Sequence, residues 1–155
     1  MNALLNTIQQ TANSANAFNL TDLQRYTPEE VRLTIQALMA EDRTDLAVAL
    51  GEAGISLHPQ SHDMLAITAL LAVTRQDWPV AIERLTELVV NQGVHVQPFT
   101  HLMLVRSLRC DLSPILAMEA VQAGLAQYPD NADLLEQYRE LKSFAVSAFE
   151  AVRAD

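Results

Sequence analysis

The chain has a single cysteine, Cys110, so it can form no internal disulfide. A lone thiol fits a reducing compartment. Positive charge is scarce: one lysine (Lys142) and nine arginines stand against nineteen acidic residues, for a formal charge of −9. That balance repels phosphate backbones and anionic membranes, which excludes the usual electrostatic basis for nucleic-acid binding. Only 5% of residues are aromatic and only four are glycine. There is no glycine-rich phosphate loop, and β-branched runs closed by Asn-Gly hairpin signals are missing. Long hydrophobic runs are missing too. Residues 88 to 105 carry no Asp, Glu, Lys or Arg, but Asn91-Gln92-Gly93 and Pro98 interrupt them. A membrane span needs about twenty unbroken apolar residues. The amino terminus has no charge before Asp22 and lacks the basic start of a signal peptide. The expectation is a soluble, cytoplasmic protein with no membrane partner.

What remains is rich in Ala, Leu and Gln, and half of it is apolar. At 155 residues the chain fits one domain, 1–155, with a genuine core. Its punctuation is helical. Residues 3 to 15 put Leu4, Leu5, Ile8 and Ala12 on one side, inside an N-terminal helical segment of 1–26. Thr27-Pro28-Glu29-Glu30 is a start signal, with Thr27 as cap, Pro28 in the first turn and Glu30 completing a capping box. Val31, Ile35, Leu38 and Met39 then recur at helical spacing, Asp42-Arg43 breaks the run, and a second helix opens at Thr44 or Asp45 and stops before Pro59. The frame repeats through Met64, Leu65 and Ala69, a turn at Gln76-Asp77, and a helix from Trp78 that Gly93 ends in a left-handed cap. A third pair opens at Pro98; Ser113-Pro114 caps and starts its second helix, which ends before Pro129. Asp130-Asn131 then caps a long closing helix over 131–153. The prediction is all-α: repeats at 28–59, 62–93 and 98–129 between a leading and a closing helix.

Three alanines keep the period. Ala47, Ala81 and Ala117 recur at nearly equal intervals, the second longer than the first by two positions. With a small residue where a second helix crosses a first, and with Pro59 and Pro129 closing two of the units, the stretch from Pro28 to Pro129 resembles the tetratricopeptide family. That family's repeat is about 34 residues long, which matches the alanine interval. The resemblance implies a right-handed superhelix of helical hairpins. Several positions depart from it. The family's Leu-Gly pair reads Thr34-Ile35, Thr68-Ala69 and Leu104-Val105, and its aromatic four residues after the alanine reads Gly51, Leu85 or Val121. A chance alanine spacing in an unrelated helical bundle is the alternative.

The resemblance also implies a groove lined by first helices. Register places Arg32, Gln36 and Met39, then Ala66, Leu70 and Val73, then Leu102, Arg106 and Arg109 on that face. An apolar floor with flanking cations suits an extended or helical segment of another protein with hydrophobic anchors. Ala66, Phe99 and Met103 occupy positions where a two-carboxylate clamp needs Lys and Asn, so recognition of an acidic chain terminus is excluded as the main mode. The bland reading is that Leu70, Val73 and Leu102 are core, and that Arg106 and Arg109 pair with Asp111 or Glu119. The layout, with Pro98-Phe99 opening the third hairpin, is also similar to class II chaperones of type III secretion. That similarity implies shielding of an apolar segment and a homodimer formed through the leading helix. Leu4, Leu5 and Ile8 there, and Phe144 and Phe149 on the closing helix, are the candidates for self-association. A structural assembly subunit using both terminal helices is the alternative function.

No residue constellation supports catalysis, a metal or another cofactor. His58 and His62 straddle Pro59 and share no helix face, and His95 and His101 lack ligand spacing. Cys110 follows Arg109 but has no placed base. Glu29-Glu30 and the Asp130–Asp133 pair lie at helix starts, where the macrodipole accounts for them.

Overall fold

A computed structural model describes residues 3–13 and 20–154. All regular structure among them is helical: α1 (Ala3–Asn13), α2 (Leu20–Leu23), α3 (Pro28–Ala40), α4 (Thr44–Leu57), α5 (His62–Thr74), α6 (Trp78–Gln92), a 3₁₀ turn (Gly93–His95), α7 (Pro98–Cys110), α8 (Pro114–Gln127) and α9 (Ala132–Arg153). The expected helix at 3–15 ends at Asn13, and residues 14 and 15 lie outside the described set. The chain divides into two compact units at Gln76 and Asp77, which separates the helices of the middle pair.

In the first unit α4 lies across both α3 and α5, and two glycines make this close approach possible. A Cβ on Gly54 would stand 2.5 Å from Met64 Sδ and 3.1 Å from Val31 Cγ1. One on Gly51 would stand 3.0 Å from Leu71 Cδ1, 3.3 Å from Thr68 Cγ2 and 3.8 Å from Ile35 Cδ1. Both glycines touch α3 and α5 at matching heights, so these two helices run parallel to each other and antiparallel to α4. The departures from the repeat pattern now have a physical reason. Ile35 is large where the family is small, and Gly51 opposite it is small where the family is aromatic. Thr34 and Thr68 are buried, and each hydroxyl donates to the carbonyl four residues back, Glu30 at 2.7 Å and Met64 at 2.6 Å. The methyl is left for the core.

The second unit repeats this plan with α7, α8 and α9. A Cβ on Gly124 would lie 3.1 Å from both His101 Cβ on α7 and Leu134 Cδ1 on α9. Gly54 and Gly124 stand in the same register to Ala47 and Ala117, two repeat lengths apart along the chain. The same period appears in the backbone. Asp42, Gln76 and Leu112 have φ of 58°, 59° and 57°, each at the same offset before one of the alanines. At Asp42 the bonds Asp42 N–H to Met39 O and Arg43 N–H to Leu38 O close a Schellman turn, and Leu112 and Ser113 repeat it on Arg109 and Leu108.

The capping box at Thr27 and Glu30 forms as expected, with Thr27 N–H donating to Glu30 Oε2 at 2.7 Å. Ser61 and Asn131 cap α5 and α9. Ser113 makes no side-chain cap: its φ of −111° and ψ of 66° leave the extended region that the capping Thr27, Ser61 and Asn131 occupy. Gly93 has φ 54° and ψ −117°, outside the left-handed helical well. A Cβ there would touch nothing, so the backbone conformation alone demands glycine.

Candidate functional site

Because α3 and α5 run side by side, the first unit brings together both predicted stripes it contains. Arg32, Gln36 and Met39 on α3, and Ala66, Leu70 and Val73 on α5, are all half-buried or exposed. Arg32 Nε donates to Asp63 Oδ1 at 2.7 Å, joining the stripes near their N-terminal ends, and its Nη1 reaches Gln36 Oε1 at 3.4 Å. The guanidinium is thus neutralised in place. Beyond it the face offers Met39, Leu70 and Val73, with Ala66 as a small residue between the ion pair and Leu70 along α5.

The second unit treats the equivalent stripe differently. Leu102 is only 7% exposed. It was expected to line a groove, but α7 packs against α6, α8 and α9, and little of its circumference is left for solvent. Arg106 is exposed. Arg109 donates from Nη1 to Gln137 Oε1 and pairs with Glu140, both on α9. Asp111 and Glu119, the partners that sequence proximity suggested, are not the ones used.

Of the candidates for self-association, Leu4 and Ile8 are core residues of the first unit, where α1 packs on α3, and Leu5 is half-buried. Phe144 and Phe149 are exposed. Sequence reasoning missed the surface beside them: Leu112, Pro114, Ile115 and Met118, which with Leu141, Phe144 and Ala145 line a notch at the base of the protruding part of α9. The signal available was the run Leu112 to Leu116, apolar apart from Ser113 and Pro114, at a helix start.

Of the histidines, His101 has a described environment. His101 is buried, its Nε2 lies 3.5 Å from Gln127 Oε1, and its ring meets Tyr128 edge-on. Burial lowers its pKa, and the Gln127 hydrogen bond partly opposes this. No cluster of three or more metal-binding side chains occurs among the described residues. No described helix is long and apolar enough to cross a membrane.

In each unit a crossing helix meets its two neighbours at a glycine, α4 at Gly54 and α8 at Gly124, and the plan recurs two repeat lengths apart, which decides the architecture. The fold is tetratricopeptide-like. Solved structures agree. MamA from MSR-1 superposes with a TM-score of 0.70 at 16% identity, over 86% of this chain and 78% of that one. YrrB, described as a tetratricopeptide protein with an unusual peptide-binding site, gives 0.68 at 13% identity over 89% and 72%. The tetratricopeptide domain of Arabidopsis OM64 gives 0.65 at 13% over 76% and 95%. No protein-family profile matches the sequence. No curated protein matches it either.

Proposed function

We propose that this protein is a non-enzymatic binding module, an adaptor or chaperone, that captures an apolar segment of another protein on the face formed by α3 and α5. One observation carries the reading. Met39, Leu70 and Val73 are only half-buried on a pair of parallel helices, whereas the equivalent positions of the second unit hold the Arg109–Glu140 pair and Ser143. Peptide binding is described for the similarly folded YrrB, which supports the same use here. Parallel first helices offer a shallow trough whose rows of anchors match the side-chain spacing of an extended strand or a helix. The neutralised Arg32–Asp63 pair leaves no strong charge preference at that end, so selection falls on the apolar anchors. A secretion chaperone is the specific form that this reading takes if the client is exported.

The test is capture from lysate of the source cells by immobilised wild type and by Met39→Glu/Leu70→Glu. Both side chains are half-buried with an edge open to solvent, so the variant should keep its helical circular dichroism while losing the captured protein. Equal recovery by both would remove the α3–α5 face from consideration.

A further inference from the structure

The first helices α3, α5 and α7 are each 13 residues long, whereas α9 has 22. Its extra length is unpartnered: every described residue from Lys142 onward is exposed, including Phe144, Phe149 (64%) and Val152 (77%). A helical extension with no packing is marginal in water. Terminal elements of a repeat stack are ordinarily polar outside. Here the outer surface is apolar, and it continues into the neighbouring turn. Leu112 is 87% exposed at φ 57°, where the corresponding turns use the polar residues Asp42 and Gln76. Neither burial nor backbone preference explains a leucine at that place, and such outliers concentrate at binding sites.

We propose that this surface is the interface with a second copy of the chain, the two α9 extensions crossing antiparallel. The proposal does not rest on the α3–α5 reading. Two observations choose this occupant. First, one molecule carries both a protrusion (Phe149, Val152) and a notch of roughly 340 Å³ bounded by Pro114, Ile115, Met118, Leu141, Phe144 and Ala145. A two-fold interface needs both on the same surface. Second, the apolar stripe Leu141, Phe144, Ala145, Ala148, Phe149, Val152 has the same spacing in either direction. Antiparallel pairing sets Val152 against the partner copy's end of the stripe at the notch, aligns the phenylalanines, and leaves the two alanines at the crossing, where backbones come closest. A foreign apolar helix would explain the notch but not the matching protrusion.

Sedimentation velocity of the full chain tests this, with Phe149→Glu/Val152→Glu altering the protrusion and Ile115→Glu altering the notch. All three sites are exposed, and circular dichroism checks the fold. Wild type should shift from 17.1 kDa to twice that mass with rising concentration, and each variant should stay at 17.1 kDa. Mixing the two variants should restore a weak heterodimer, since one intact protrusion then meets one intact notch. Three results would overturn the proposal: a wild type monomeric up to the millimolar range, a dimer insensitive to both variants, or binding of an added amphipathic helix without any self-association.

Discussion

The segments α3–α5 and α7–α9 are one three-helix plan written twice, two repeat lengths apart, yet their equivalent faces have opposite chemistry. Arg32, Gln36, Met39, Ala66, Leu70 and Val73 in the first become Leu102, Arg106, Arg109, Glu136, Glu140 and Ser143 in the second. The scaffold positions hardly change: alanine at 47 and 117, glycine at 54 and 124, proline at 59 and 129, a capping Ser61 or Asn131. Close approach and capping fix the hairpins, and the remaining surface is free to differ. One unit keeps an apolar face open, while the other closes the same face with an Arg109–Glu140 pair and places its apolar surface at the far end of α9.

The two glycines give the largest test of this equivalence. Gly124→Val should cost about 3 kcal/mol by overpacking against Leu134 and His101 Cβ, the latter fixed directly to backbone. Gly54→Ala should cost much less, because the nearest atom is the sulfur of a flexible Met64 and alanine recovers about 1 kcal/mol of helix propensity. Urea denaturation of the pair measures both, and equal losses would break the comparison. A second difference is His101, where the first unit has Val31. Its pKa is lowered by burial, so the unfolded chain binds the proton more tightly. Its contribution is complete above the ordinary value of 6.5 and is lost as pH falls through the depressed folded value. His101→Val should flatten the dependence of stability on pH just below 6.5, with melts at several pH values as the readout. The smallest expected effect concerns the turns. Leu112→Gly should stabilise by about 0.5–1 kcal/mol by relieving the left-handed backbone, while Asp42→Gly should gain less because aspartate tolerates that region.

Much of the scaffold was legible because proline, glycine and capping residues act locally. Thr27-Pro28-Glu29-Glu30 announces α3 without any tertiary information, and Pro59 and Pro129 end α4 and α8 in the same way. The alanine period gave the order of hairpins. What stayed hidden depends on distant partners. Gly51 looked like an isolated departure from a repeat, but Leu71, Thr68 and Ile35 together fill the space a larger side chain would take. Arg109 finds Glu140 on the next helix but one, beyond any local pairing rule. Leu102 shares the helical register of Arg32, but three surrounding helices bury it. Leu4 and Ile8 showed an amphipathic stripe that served a core equally well as a dimer. The face on α3 and α5 was readable in position, because register alone sets it, but not in charge, because Asp63 neutralises Arg32.

The most direct test of an open apolar face in the first unit is selection of a phage-displayed random peptide library on the immobilised chain. Amide hydrogen exchange of the protein with and without the selected peptide then reads where it lies. The account predicts peptides with spaced apolar anchors and new protection on α3 and α5. Protection confined to α7–α9, or peptides that bind Met39→Glu/Leu70→Glu as well as wild type, would contradict it.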